Sequence, residues 1–265
     1  MIHPTAQVHP QAKLHPTVKV GAYAVIDGPA QIGEGCTIEA HAILLGRITM
    51  GRENTVGHGA VLGGDPQDFS FNPETESHVQ IGDRNRIREH CTIHRGTQSG
   101  TATVIGDDCF VMVGCHLAHN VRLGNRVVMA NNVLLAGHVT VDDGAFLGGG
   151  CVFHQFIRIG RLAIAQGGGA FGKDIPPFTL AARVNGIGGL NVVGLRRAGY
   201  SAEQRSEIKR AFALLYLSGL NTSQALAAAE SQDWSPEASE FFTFVAAAKK
   251  RGICPLLRKA VPFEA

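Results

Sequence analysis

Aromatic side chains are scarce in this chain, with one Trp and three Tyr among 265 residues, so a core built from large rings is excluded. Neither sign of charge prevails: the formal net charge is +2, and no Lys/Arg block stands out. That argues against an electrostatic footprint for nucleic acid. No run of about 18 apolar residues occurs, so no membrane-spanning helix and no integral membrane association are expected. Met1-Ile2-His3-Pro4 lacks a basic region leading into an apolar run. No signal peptide is therefore expected, and the chain reads as cytoplasmic. The six cysteines (36, 91, 109, 115, 151 and 254) form no CxxC pair. They read as reduced, buried thiols, not as disulfides or a structural zinc site. Glycine, by contrast, is abundant, with 33 residues beside a hydrophobic content of 45%. That composition suits tight turns and closely packed small side chains.

A six-residue period organises what is there. Ile2, Val8, Leu14, Val20, Ile26, Ile32, Ile38, Leu44, Met50, Val56 and Leu62 are spaced by six, and every one is aliphatic or Met. The register resumes one step shifted at Ile81, Ile87 and Ile93, then from Ile105 through Val111, Leu117, Leu123, Met129, Leu135, Val141, Leu147, Phe153, Ile159 and Ala165. Only Ser99 breaks it. This period fits neither a helix nor a solvated hairpin. It fits short strands joined by tight turns, three to an 18-residue coil, with the aliphatic pointing inward and coils stacked about 4.8 Å apart. The pattern resembles the left-handed parallel β-helix of hexapeptide-repeat acyltransferases, and the left hand is taken from that resemblance.

Two stretches interrupt the period. Residues 63–80 carry two prolines, two phenylalanines and four acids, and read as a loop thrown out from the prism. Residues 97–103 are short and polar and read as a turn with no further role. The expected organisation is mainly β: a hexapeptide-repeat β-helix over 1–188, followed by a C-terminal α-helical domain over 189–265. In the latter, Ser201-x-x-Gln204 is a capping box for a helix running to Gly219, and Ser235-Pro236 opens another through Lys250.

The chemistry concentrates on Cys115-His-Leu-Ala-His-Asn120. Cys115 and His116 do not read as a nucleophile pair, because strand neighbours point to opposite faces. His119 is the third residue of its hexad. The same position falls on Gly137 one coil on and Gln155 two coils on, flanked by His138 and His154. A lone histidine on such a scaffold is ordinarily just a polar surface residue. Recurrence on one column strengthens the catalytic reading, because two coils span roughly 10 Å and a side chain from each can line one groove.

Several strings are more specific than the hexad. They include Ile81-Gly-Asp-Arg-Asn-Arg-Ile-Arg-Glu89, Thr92-Ile-His-Arg-Gly-Thr97, His116-Leu-Ala-His119, Leu135-Ala-Gly-His-Val139, His154-Gln-Phe156 and Gly189-Leu-Asn-Val-Val-Gly-Leu195. They resemble the UDP-N-acetylglucosamine O-acyltransferases, which catalyse the first step of lipid A synthesis, and the likeness spans essentially the whole chain. The resemblance implies transfer of a 3-hydroxyacyl chain from acyl carrier protein to the sugar 3-hydroxyl by a homotrimer with sites in the subunit clefts. It implies no metal and no resident cofactor, the acyl group arriving on the carrier's phosphopantetheine. His119 then matches the general base and Gly137 the oxyanion donor. His116, His138, His154 and Gln155 would position substrate, Gln67 and Asp68 would contact the sugar, and Asn131 and Gly149 would lie near the acyl-phosphopantetheine path. Asn191 and Arg197 match nucleotide-sugar ligands, the Arg suiting a diphosphate. Arg158, Arg161 and Lys173 are candidate docking points for the acidic carrier.

Three departures stand out. Phe69-Ser70-Phe71 replaces a Leu-Lys-Tyr common in the family, Asn120 replaces an Asp found after the base in some members, and Ala198 stands where a second Arg is frequent. They point to weaker nucleotide binding or to an altered acceptor such as a 3-amino sugar acylated on nitrogen. Residues 181–187 match the family poorly, so acyl length is not legible. Two further readings remain open: a γ-carbonic-anhydrase-like zinc enzyme using His116, His119 and His138, and a non-catalytic sugar-binding scaffold of the same shape.

Overall fold

The structure is a computed structural model that describes residues 1–257. Its first two thirds form a three-sided parallel β-helix. Among the described residues the strands assemble into sheets of nine, eight and ten, and all but the last strand pair in parallel with their neighbours in adjacent coils. The register is the sequence period made physical: Gln7 pairs with Val25, His116 with Leu134, and Leu134 with Val152, each 18 residues on.

The inward aliphatics are buried throughout, from Val20 and Ile26 to Leu147 and Ile159. A second inward row of small residues, Ala24, Ala42, Ala60, Cys91, Cys115 and Cys151 among them, lets the strands meet at the corners without a void. All six cysteines are free and buried. Near its C-terminal end, Phe153 and Phe171 stack within the prism with ring centroids 5.3 Å apart. The corners themselves need a left-handed backbone, and residues such as Asn120 (φ 60°), Asn132 (φ 60°) and His138 (φ 60°) supply it.

Both interruptions are real, with narrower bounds and more consequence than the sequence suggests. The strand Val61–Gly64 continues past residue 63, and His78–Ile81 is again a strand, so the excursion spans residues 65–77. The second lengthens its coil, since Thr92 pairs with His116, 24 residues on. It is not an idle turn, because Thr97 donates to the Asn120 side chain and the Thr103 hydroxyl accepts from the Asn120 N–H.

The strand Gly186–Leu190 returns antiparallel along Thr179–Ala182, so residues 189 and 190 still belong to the sheet. Four helices follow: α1 (Val192–Arg197), α2 (Ala202–Tyr216), α3 (Thr222–Glu230) and α4 (Pro236–Ala246). The Ser201–Gln204 capping box starts α2 as expected, but α2 ends before Gly219 and α4 stops short of Lys250. Helix α3 was not anticipated; its N-cap Asn221 and Gln224 form a second capping box. Residues 258–265 of the expected 189–265 domain lie outside the described residues. The chain closes on the prism through Arg158. Its guanidinium meets the buried Asp174 at 2.7 Å, donates to the Phe244 carbonyl at 2.8 Å and lies 4.2 Å over the Phe244 ring.

Candidate active site

The hexad puts His116, Leu134, Val152 and Ala170 in register on one outer face, since each outward position repeats every coil. The 65–77 excursion leaves from the same sheet and folds back, so that Gln67 faces this column across a groove of about 620 Å³. His119, Gly137, His154 and Gln155 also line it. Gln67, His116, His119, Gly137, His154 and Gln155 are thus brought together.

Each polar group has a definable state. The Thr97 backbone N–H and hydroxyl both donate to Asn120 Oδ1, at 3.1 and 3.0 Å. That oxygen only accepts, so the His119 Nδ1 that meets it at 3.1 Å carries the proton. His119 Nε2 is therefore the unprotonated nitrogen of the neutral ring. It lies over Gly137, where an added Cβ would sit 2.4 Å from Cε1 and 2.6 Å from Nε2. Gly137 is needed because the imidazole occupies the space a side chain would take.

His116 meets the Thr92 hydroxyl through Nδ1 at 2.8 Å and His94 edge-on at 5.1 Å. Burial, with a smaller push from His94, lowers its pKa to about 4, so it is neutral in ordinary buffers. His154 Nδ1 donates to the Gln155 carbonyl at 3.3 Å. Asp68 does not line the groove. Its Oδ1 accepts from the Ser70 N–H and hydroxyl at 2.9 and 2.8 Å, which holds the carboxylate below the usual range, with a small contribution from His119.

Other expected site residues stand elsewhere. His138 occupies a coil corner and does not line the groove. Its ring meets His119 edge-on at 5.1 Å and stacks on Phe156 at 4.6 Å, and burial together with His119 lowers its pKa. Asn131 and Gly149 share another corner, next to each other in successive coils and joined by the Gly150 N–H to the Asn131 carbonyl at 2.9 Å. Asn191 is 5% exposed and spends its amide on structure. Oδ1 caps α1 by accepting from the Gly194 N–H at 2.8 Å, and Nδ2 donates to the Leu162 carbonyl at 2.8 Å. Arg197 is exposed at the end of α1. Two of the candidate docking cations are already engaged, Arg158 by Asp174 and Arg161 by Glu240 at 2.9 Å.

Several site residues escaped the sequence reading: Leu134, Val152, Val184 and Asn185 on the groove wall, and Thr92, His94 and Thr97 behind the histidines. Leu134 and Val152 carried a signal, because they are aliphatic at an outward hexad position. Among the described residues, no group of three or more His, Cys, Asp or Glu is placed to hold a metal ion, so the three-histidine zinc reading finds no geometric support.

The fold as a whole has relatives among known proteins. Residues 174–254 match the family model for UDP-N-acetylglucosamine O-acyltransferase, domain 2, and residues 102–137 match the bacterial transferase hexapeptide. The UDP-N-acetylglucosamine acyltransferase of Bacteroides fragilis is 40% identical, with 96% of this chain and 99% of that one aligned at a TM-score of 0.91. The Campylobacter jejuni enzyme is 35% identical over 97% of this chain and 100% of its own, at 0.90. The Francisella novicida enzyme is 32% identical over 98% and 95%, at 0.91. Coils, groove and helical tail together place this chain in the UDP-N-acetylglucosamine O-acyltransferase family.

Proposed function

We propose that this chain moves a 3-hydroxyacyl group from the phosphopantetheine of acyl carrier protein to the 3-hydroxyl of UDP-N-acetylglucosamine, as a homotrimer and without a metal or resident cofactor. The observation that carries the reading is His119: Nδ1 is pinned by Asn120 and Nε2 is free over Gly137, at the edge of an apolar groove. Nε2 takes the proton as the sugar oxygen attacks the thioester carbon. Among the described residues the Gly137 N–H makes no backbone hydrogen bond, leaving it available to the oxyanion of the tetrahedral intermediate. Collapse expels the pantetheine thiolate, which recovers the proton from the imidazolium.

The column from His116 through Leu134, Val152 and Ala170 to Val184 makes an apolar wall of four coil steps, roughly 19 Å, suited to an acyl chain. Gln67, His154 and Gln155 supply polar contacts around the reacting end. Arg197 is the exposed cation offered to the diphosphate, and Asn191 acts by fixing the helix that carries it. Between α1 and α2, Leu190, Leu195 and Phe212 floor a groove rimmed by Arg205 and Lys209. That surface suits an acidic carrier better than the engaged Arg158 and Arg161 do. No helix among the described residues is long and apolar enough to cross a membrane, and the buried free thiols suit a cytoplasmic protein.

The test is acyl transfer from 3-hydroxyacyl carrier proteins of several lengths to UDP-N-acetylglucosamine and, in parallel, to its 3-amino analogue. His119→Ala should lower kcat by about 10²–10⁴. No transfer to either acceptor, or a His119→Ala variant as active as the parent, sinks the proposal. Preference for the amine would reassign the acceptor to a 3-amino sugar.

A further inference from the structure

We infer that Arg95 is a positioning residue for this active site, holding the 65–77 excursion over the groove so that Gln67 faces His119; the inference rests on the acyltransferase reading. The excursion contains no strand, and its internal hydrogen bonds are short-range turns around Asp68 and Asn72. Such a segment has little intrinsic reason to stay in one place. Among the described residues, every hydrogen bond from residues 65–77 to the prism goes to residues 94–100.

Arg95 makes most of them. Nε donates to the Asp65 carboxylate at 3.0 Å and Nη2 to the Pro73 carbonyl at 2.7 Å. Nη1 reaches the Thr75 carbonyl and the Ser77 hydroxyl. The Phe71 ring lies 4.8 Å under the guanidinium, and the side chain is only 13% exposed. One planar fork thus ties the root, the middle and the far end of the excursion. A Lys ammonium, a single point donor, does not span those partners. His94 adds a bond from Nδ1 to the Asp65 carbonyl at 2.6 Å.

The stretch Thr92–Thr97, which contains Arg95, also holds the histidines: Thr92 binds His116 and Thr97 binds Asn120 behind His119. Thr92–Thr97 therefore acts as one bracket, and Arg95 is the member that sets the excursion relative to the base. A passive role in stability is the competing account, and it makes different predictions for exchange and for coupling to Gln67.

The test compares wild type, Arg95→Ala, Arg95→Lys, Gln67→Ala and Gln67→Ala/Arg95→Ala. Amide exchange in Arg95→Ala should quicken across residues 65–77 while the strands around His116 and Leu134 stay protected. Arg95→Ala should lower kcat/KM for the nucleotide sugar about tenfold or more, mainly through KM, and Arg95→Lys should recover little of it. The double variant should be no worse than the worse single variant, because both remove the same contact. Unchanged exchange at 65–77, protection lost throughout the coils, full rescue by Lys, or additive losses with Gln67→Ala would each overturn the assignment. If the wild type transfers no acyl group, the functional reading fails on its own, while amide exchange at 65–77 in Arg95→Ala and Arg95→Lys still decides whether the Arg95 fork holds the excursion.

Discussion

Gly137 shows how one residue combines two requirements that a substitution can separate. Its backbone is not left-handed, so no turn demands glycine there, and the three atoms nearest to an added Cβ all belong to the His119 ring. Gly137→Ala keeps the peptide N–H but displaces the imidazole. The expected outcome is a fall in kcat of about 10² or more, with folding stability changed by less than about 1 kcal/mol. Steady-state kinetics beside urea unfolding checks both halves. Unaltered kcat would mean that the ring has room the structure does not show. At this scale much of the site was legible in the sequence, because the hexad assigns His119, Gly137 and Gln155 to one column before any coordinates exist. The partners of Asn120 were not. Thr97 precedes it by 23 residues, a distance set by the lengthened coil and not by the regular period. The placement of His138 was not legible for a similar reason, since a corner residue adjoins the column in sequence yet turns its ring along the edge.

One junction between the prism and the helices is made by an arginine. Arg158 is the staple there, joining the strand Arg158–Ile159 to Asp174 and to α4. Removing it leaves the Asp174 carboxylate, in a residue only 5% exposed, without its cation, and takes the Phe244 carbonyl's donor away. Arg158→Ala should cost about 2–3 kcal/mol in chemical unfolding, with faster amide exchange in α4. A change below about 0.5 kcal/mol would show that Asp174 is served by its other neighbours. The sequence marks Arg158 merely as a cation, because its partners lie 16 and 86 residues away. Helix α2 was legible from its local capping grammar, and α3 begins with the same grammar at Asn221–Gln224. Its short, Ala-rich body lacks the wide apolar stripe that announces a core-facing helix.

The whole molecule presents three unlike faces. One outer face carries Phe110, Val128, Phe146 and Ile164 in register, and a second carries Leu134 and Val152. The third is polar where it carries Arg122, Thr140 and Arg158. Phe146 is 40% exposed, Leu134 43% and Val152 42%, and such apolar columns on stacked coils form continuous surface. Contact between the two apolar faces of neighbouring copies is heterologous, and a heterologous contact ends either in a closed ring or in a filament. The expected ring has three members, with the groove beside His119 at the seam. Phe146 lies outside the groove lining, so Phe146→Glu probes assembly without touching the base. A buried, unpaired carboxylate at a seam costs several kcal/mol, enough to favour the 28.1 kDa single chain. Sedimentation should therefore show the parent as a trimer and Phe146→Glu as a monomer. Acyl transfer should fall with dissociation if the neighbouring copy completes the site. A parent that sediments as a single chain, or a Phe146→Glu variant that stays assembled, would refute this use of the apolar faces.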